Sequence, residues 1–209
     1  TGDAIVELKQ ILAEDPRDVE ALDVLGRLYR VEGKAKELRD LYDHRLLHTE
    51  APSERWVLLA EVAELEETLL EDAEAAARRY RAILEIDPMD ADALRALDRL
   101  ASAAGRWEEV SSMLDKRRQL VDASSAEAGQ LALRHADVLR TFLARPSDAI
   151  DAYAVTLKTD PSSEAAVRGL EALGEADESG ALALRLGRVL EPAYTRKGEF
   201  QKVNDILTK

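Results

Sequence analysis

His44 and His48 stand four residues apart with Asp40 one turn earlier, so all three share one helical face. Two histidines at that spacing can ligate zinc. The residues between them are Arg45, Leu46 and Leu47, so the glutamate of a zinc hydrolase is missing, and His135 is remote in sequence. A solvated helix face is the expected reading of the pair. Carboxylates gather at Glu64, Glu66, Glu67 and Glu71, and again at Asp87, Asp90 and Asp92. General acid–base work needs two carboxyl groups in unlike environments within a cleft. These sit on patterned helices or at helix starts, where acids meet the positive end of the helix dipole. Asp90 and Asp92 lack the following ligands and the glycine of a calcium loop. Cysteine is absent, which removes thiol catalysis, disulfides and thiolate zinc sites. No glycine-rich nucleotide loop and no Gly-x-Ser-x-Gly elbow occurs. The expectation is therefore no catalytic group, no cofactor and no metal. Trp56 and Trp107 could stack on a ligand, but each opens a helix at a packing position, and a core role is expected.

Arginines recur in register. Arg27 and Arg99 are 72 residues apart, Arg95 and Arg168 are 73 apart, and Arg134 and Arg185 are 51 apart. Arg30 lies one turn from Arg27, and Arg95 one turn from Arg99. A row of arginines suits an acidic segment or a terminal carboxylate, because the guanidinium fork makes two parallel hydrogen bonds to a carboxylate. The alternative is that each arginine pairs with a neighbouring Glu or Asp of the same chain. The chain as a whole carries a net charge of −13. That opposes binding to a nucleic-acid backbone and adhesion to anionic lipid, and it serves solubility or the steering of a basic partner. No window approaches the roughly 18 apolar residues of a membrane span, and no signal-peptide pattern is readable, which tilts the expected location towards the cytoplasm.

Helices must position these residues. Apolar residues recur at spacings of three and four, as in Leu94, Leu97, Leu100 and Ala101, and no alternating strand pattern competes. Asp15-Pro16, Asp87-Pro88 and Asp160-Pro161 each end a helix, since proline cannot continue the hydrogen-bond ladder. Asp18, Asp90 and Ser162 or Ser163 then offer N-caps. Gly33, Gly105 and Gly198 are expected at tight turns within helix pairs. Matches between 21–42 and 93–114, and between 63–88 and 136–161, give a unit of two repeats, about 34 and 38 residues long. The longer repeat has a longer first helix, carrying about one extra turn near 65–72 and 138–145. Leu182–Arg185 repeats Leu131–Arg134, from which a helix near 163–173 is expected to lead into a long one near 179–197, with one helix missing. Pro192 would kink or split that long helix. The first 16 residues read as a second helix without its first, as in a segment of a longer array.

Leu22–Tyr29 resembles the first helix of a tetratricopeptide repeat, whose signature runs Trp-x2-Leu-Gly-x2-Tyr and then Ala-x3-Phe with a later Pro. Leu22 stands in the Trp position, and Leu25, Gly26 and Tyr29 match. The second half of the signature is met by Ala76, Tyr80 and Pro88, by Ala149, Tyr153 and Pro161, and by Ala4, Leu8 and Pro16. The resemblance implies an all-α, right-handed superhelical solenoid of antiparallel helix pairs, about a dozen helices over 1–209, regular over 3–161 and divergent over 162–209. Long–short arrays of this kind resemble those of large bacterial proteins. The resemblance further implies a concave groove lined by first helices, where partner peptides bind. Arg27, Arg30, Arg95, Arg99, Arg134, Arg168 and Arg185 are all expected there. The Lys/Asn clamp of chaperone-binding members is not present, because the matching positions hold Asp23 and Arg27, or Arg95 and Arg99. The expected function is a non-catalytic scaffold that binds a protein segment. The alternatives are a recruiting arm of an enzyme whose catalytic domain lies elsewhere, and a spacer whose arginines are all neutralised within the array.

Overall fold

The computed structural model describes residues 2–199, 201, 202 and 205. Among these there is no strand, and eleven α-helices follow one another. They are α1 (Gly2–Glu14), α2 (Val19–Val31), α3 (Ala35–His48), α4 (Pro52–Thr68), α5 (Ala73–Ile86) and α6 (Ala91–Ala103). Then come α7 (Trp107–Leu120), α8 (Ala126–Thr141), α9 (Pro146–Thr159), α10 (Glu164–Ala176) and α11 (Ala183–Lys197). Each first helix packs on its second, as α2 on α3, α4 on α5 and α8 on α9, and α10 packs on α11. Successive pairs are stitched by α3 on α4, α7 on α8 and α9 on α10. Among the described residues the fold is all-α, built from successive helix pairs.

The punctuation expected from the sequence is physically present. Asp15, Asp87 and Asp160 each accept a hydrogen bond from the backbone N–H two residues on (Arg17, Met89, Ser162), at 3.0 Å in every case. Such a turn halts the helix before proline and re-aims the chain. The next helix is then capped from its side chain, by Asp18 to the N–H of Ala21 and Asp90 to that of Ala93, each at 2.8 Å, and by Ser163 to that of Ala166. A cap of this type contributes about 1 kcal/mol by satisfying an orphan donor.

Two kinds of turn join the helices of a pair. Gly33 and Gly105, at φ of 66° and 69°, close α2–α3 and α6–α7. The longer first helices end without glycine. In α4, of 17 residues, the N–H groups of Leu69 and Leu70 both return to the carbonyl of Leu65; in α8, of 16 residues, those of Phe142 and Leu143 return to that of Val138. The chain then passes through a left-handed residue, Glu71 (φ 52°) or Ala144 (φ 51°), which are equivalent under the 73-residue offset.

After Pro161, α10 leads across Gly180, at φ 69°, into α11, close to the helices expected near 163–173 and 179–197. Gly198, at φ 74°, closes α11 as Gly33 and Gly105 close α2 and α6, its N–H returning to Thr195 and that of Glu199 to Tyr194. Pro192 does not split α11, which continues through it to Lys197. Beyond Glu199 the described residues are 201, 202 and 205, all helical.

The chain resolves into two compact units, 1–97 and 98–209, with the boundary inside α6. The first has a core around Leu22, Leu25, Tyr29, Leu41, Leu58, Val62 and Ile83. The second is built around Ile150, Tyr153, Leu170, Leu186, Leu190 and Tyr194, with a smaller cluster of Ala101, Val110 and Leu114. No helix among the described residues is long and apolar enough to cross a membrane.

Candidate functional site

The arginines emerge from the exposed sides of first helices whose opposite sides are core, so each must be satisfied at the surface. In the first unit Arg27 donates from Nε to the carbonyl of Asp23 at 3.3 Å, while the Asp23 carboxylate is taken by Arg45 of α3 at 3.2 Å. Arg30 donates to the Tyr42 hydroxyl and lies 3.6 Å from Glu61, so it ties α2 to α4. Burial, reinforced by Glu61, pushes the Tyr42 phenol up to about 12. Arg95 pairs with Asp92, one turn earlier on the same helix, and its side chain is 61% exposed.

In the second unit Arg99 is also partnered. Arg168 meets Glu164 at 3.5 Å, with both side chains 69% exposed. Arg134 differs from these. Its two terminal nitrogens hold the carboxylate of Asp98 at 2.7 and 2.8 Å, and Nη2 also reaches Ser102 at 2.9 Å. Asp98 is buried and takes a second arginine, Arg117 of α7, at 2.6 Å. Arg185, on α11, bonds Asp151 of α9 at 2.6 Å. Arg27, Arg30 and Arg95 thus fall in the first unit, and Arg99, Arg134, Arg168 and Arg185 in the second.

A parallel charge network in the first unit escaped the sequence reading. Glu66 is buried, and Arg79 of α5 clasps it with Nη2 at 3.0 Å and Nε at 3.2 and 3.3 Å. The same guanidinium reaches Asp43 of α3 at 2.8 Å. A signal did exist. Glu66 follows Leu59, Val62 and Ala63, and Asp98 follows Leu94, at core-facing spacings. A carboxylate in that phase must find a cation, since burying it unpaired costs several kcal/mol, on the order of 3–5.

The other candidates are engaged structurally. His44 Nε2 lies 3.0 Å from the carbonyl of Pro16, and its ring meets His48 edge to face at 4.8 Å. No cluster of three metal-ligating side chains occurs among the described residues. Trp56 donates to Asp90 Oδ2 at 2.9 Å, closing over the cap of α6. Trp107 stacks on Phe142 at 3.7 Å. Both indoles are half-buried against their cores.

His135, unassigned by the sequence beyond its remoteness, is buried with Nε2 2.7 Å from Ser111 Oγ. The two line a cleft of about 460 Å³ together with Arg118 and Arg145. Burial, and then the charge of Arg118, hold the imidazole below its ordinary pKa. Its Nδ1 has no partner among the described residues, so no acid orients it as a general base. Ser111 lies inside α7, where neighbouring N–H groups are spent on the helix, leaving no donors for an oxyanion. The pair fastens α7 to α8.

No family model matches the chain, and no curated protein matches it. Among solved structures, a C-terminal part of a TPR repeat-containing protein from Cytophaga hutchinsonii aligns with 98% of this chain and 80% of its own, at 12% identity and a TM-score of 0.48. MamA aligns with 85% of this chain and 97% of its own, at 15% identity and a TM-score of 0.45. A tetratricopeptide repeat protein from Parabacteroides merdae aligns with 99% and 92%, at 17% identity and a TM-score of 0.44.

Proposed function

We propose that the chain is a non-catalytic scaffold that binds an acidic segment of a partner protein along the faces of its first helices. The observation behind this is the recurrence of one surface device. Arg95 and Arg168 are equivalent under the 73-residue offset, and each is exposed and held by an acid one turn earlier on its own helix. Exposed pairs of this kind contribute about 0–1 kcal/mol. A partner carboxylate therefore exchanges with them at little cost, and gains a charge-assisted hydrogen bond. Stacked helix pairs supply the extended surface, since each buries its apolar face only against its neighbours.

The same pairing supports a second reading, a spacer, because Arg30, Arg95, Arg134, Arg168 and Arg185 each have an acid within their own unit. The two readings part in a pull-down from source-cell lysate with wild type and an Arg95→Ala, Arg99→Ala, Arg168→Ala variant of equal helicity by circular dichroism. A scaffold that uses these arginines retains a partner that the variant loses. Equal capture by both would remove the arginines from binding, and no capture by either would favour the spacer.

A further inference from the structure

Within the second unit the candidate arginines are not equal. Arg185 and Arg168 are each matched by an acid, with Arg168 sharing the exposed Glu164 only with the distant Lys197 nitrogen at 4.0 Å. Arg134 and Arg117 divide one buried carboxylate between them, Asp98, and among the described residues neither has another acid. The cluster therefore carries a surplus of one positive charge in a chain whose net charge is −13. Arg117 is mostly buried, with 17% of its side chain exposed, whereas Arg134 is 46% exposed and gives the surplus its outlet.

The geometry also prepares Arg134 for a ligand. A guanidinium has five N–H groups. Arg134 spends three, two on Asp98 and one on Ser102, which leaves Nε–H and one Nη1–H without a partner among the described residues. Two of those bonds run to a buried side chain on another helix, so the planar group is already immobilised. Binding through it loses little further side-chain freedom. The long, solvent-held arginines elsewhere on the first helices must be ordered by the ligand itself.

Resting on the scaffold reading above, we infer that Arg134, backed by Asp98 and Arg117, is the anchor for a side-chain carboxylate of the acidic partner segment. Arg95 and Arg168 then contribute only exchangeable surface charge. Asp98 acts as a positioning residue: it orients the fork and sets the size of the surplus. Replacing it with a neutral isostere raises the cluster from one surplus charge to two.

The test is a titration at low salt with a fluorescent, end-blocked tetrapeptide, Ala-Glu-Glu-Ala, against its twin with glutamines. Wild type binds the glutamate peptide at least tenfold more tightly than the glutamine one. Arg134→Gln weakens glutamate binding at least tenfold, and Arg168→Gln changes it less than twofold. Asp98→Asn tightens it severalfold, an increase that no loss of fold can imitate. Arg134→Gln binding like wild type, or Asp98→Asn failing to tighten binding, would overturn the assignment. Equal losses in Arg134→Gln and Arg168→Gln would also overturn it while leaving the acidic-segment reading in place. Failure of wild type to prefer the glutamate peptide would overturn both the anchor and that choice of partner.

Discussion

In the first unit Glu66 shares the single arginine Arg79 with Asp43, whereas in the second Asp98 holds Arg117 and Arg134 together. Both networks span three consecutive helices, α3–α5 in one case and α6–α8 in the other, and both centre on a buried acid. Their surplus charge has opposite sign. The first has two acids to one hydrogen-bonding base, so among the described residues every side-chain hydrogen bond of Glu66 comes from one side chain. The second has two bases to one acid, so its carboxylate stays paired after either arginine is lost. The same local problem, an acid in the core phase of a first helix, is thus solved once without reserve and once with it.

Removing Arg79 should give the largest effect. Arg79→Ala leaves Glu66 buried without a hydrogen-bonded cation and should cost about 3–5 kcal/mol. Urea unfolding followed through Trp56, with Trp107 replaced by Phe, reports it, because each unit contains one tryptophan. Next comes Gly169→Ala. An added Cβ would lie 2.2 Å from Cζ of Tyr153, a ring fully buried and fixed by Asp137 at 2.6 Å and Arg140 at 3.0 Å. Overpacking of this kind costs about 1–3 kcal/mol. The first-unit equivalent is Ala96, which already carries a methyl group. Arg134→Ala should cost only about 1 kcal/mol, the net worth of an ordinary hydrogen bond, because Arg117 remains. If Arg134→Ala matched Arg79→Ala, the redundancy ascribed to the second network would be wrong.

Smaller effects sharpen the contrast in other ways. Glu71→Gly and Ala144→Gly relieve left-handed residues and should each stabilise their unit by about 0.5–1 kcal/mol, after the entropy that glycine adds to the unfolded chain. Thermal unfolding of both variants tests whether the two turns are as equivalent as their φ values. His135 has no titrating counterpart in the first unit. Burial lowers its pKa below the 6.5 of the free side chain, so the folded state resists the proton that the unfolded chain accepts. Stability in the second unit should therefore be level above pH 6.5, and fall as pH drops through that value towards the folded pKa. His135→Gln should remove that part of the slope between pH 7 and 5.5, read by urea unfolding at each pH.

Much of the architecture was written locally. Asp-Pro steps, side-chain caps at Asp18 and Asp90, and the extra turn before Glu71 and Ala144 depend on residues within one turn of each other, so their order in the sequence suffices. The candidate site was less legible. Arginines on first helices could be placed, but their partners could not, since Arg134 and Asp98 are 36 residues apart and meet only through packing. The buried acids were visible as breaks in an apolar phase. Neither the sharing of Asp98 by two arginines nor the Ser111–His135 contact could be read from spacing.

The two kinds of intra-pair turn alternate along the chain, with Gly33 followed by Glu71 and Gly105 by Ala144. A duplication or deletion spanning one repeat would place a long first helix against a turn shaped for a short one, or the reverse. One spanning the full 72 or 73 residues returns every helix to its own kind of turn. The heritable module of this chain is accordingly the double repeat, and lengthening by single repeats would require a compensating change of helix length at each new junction.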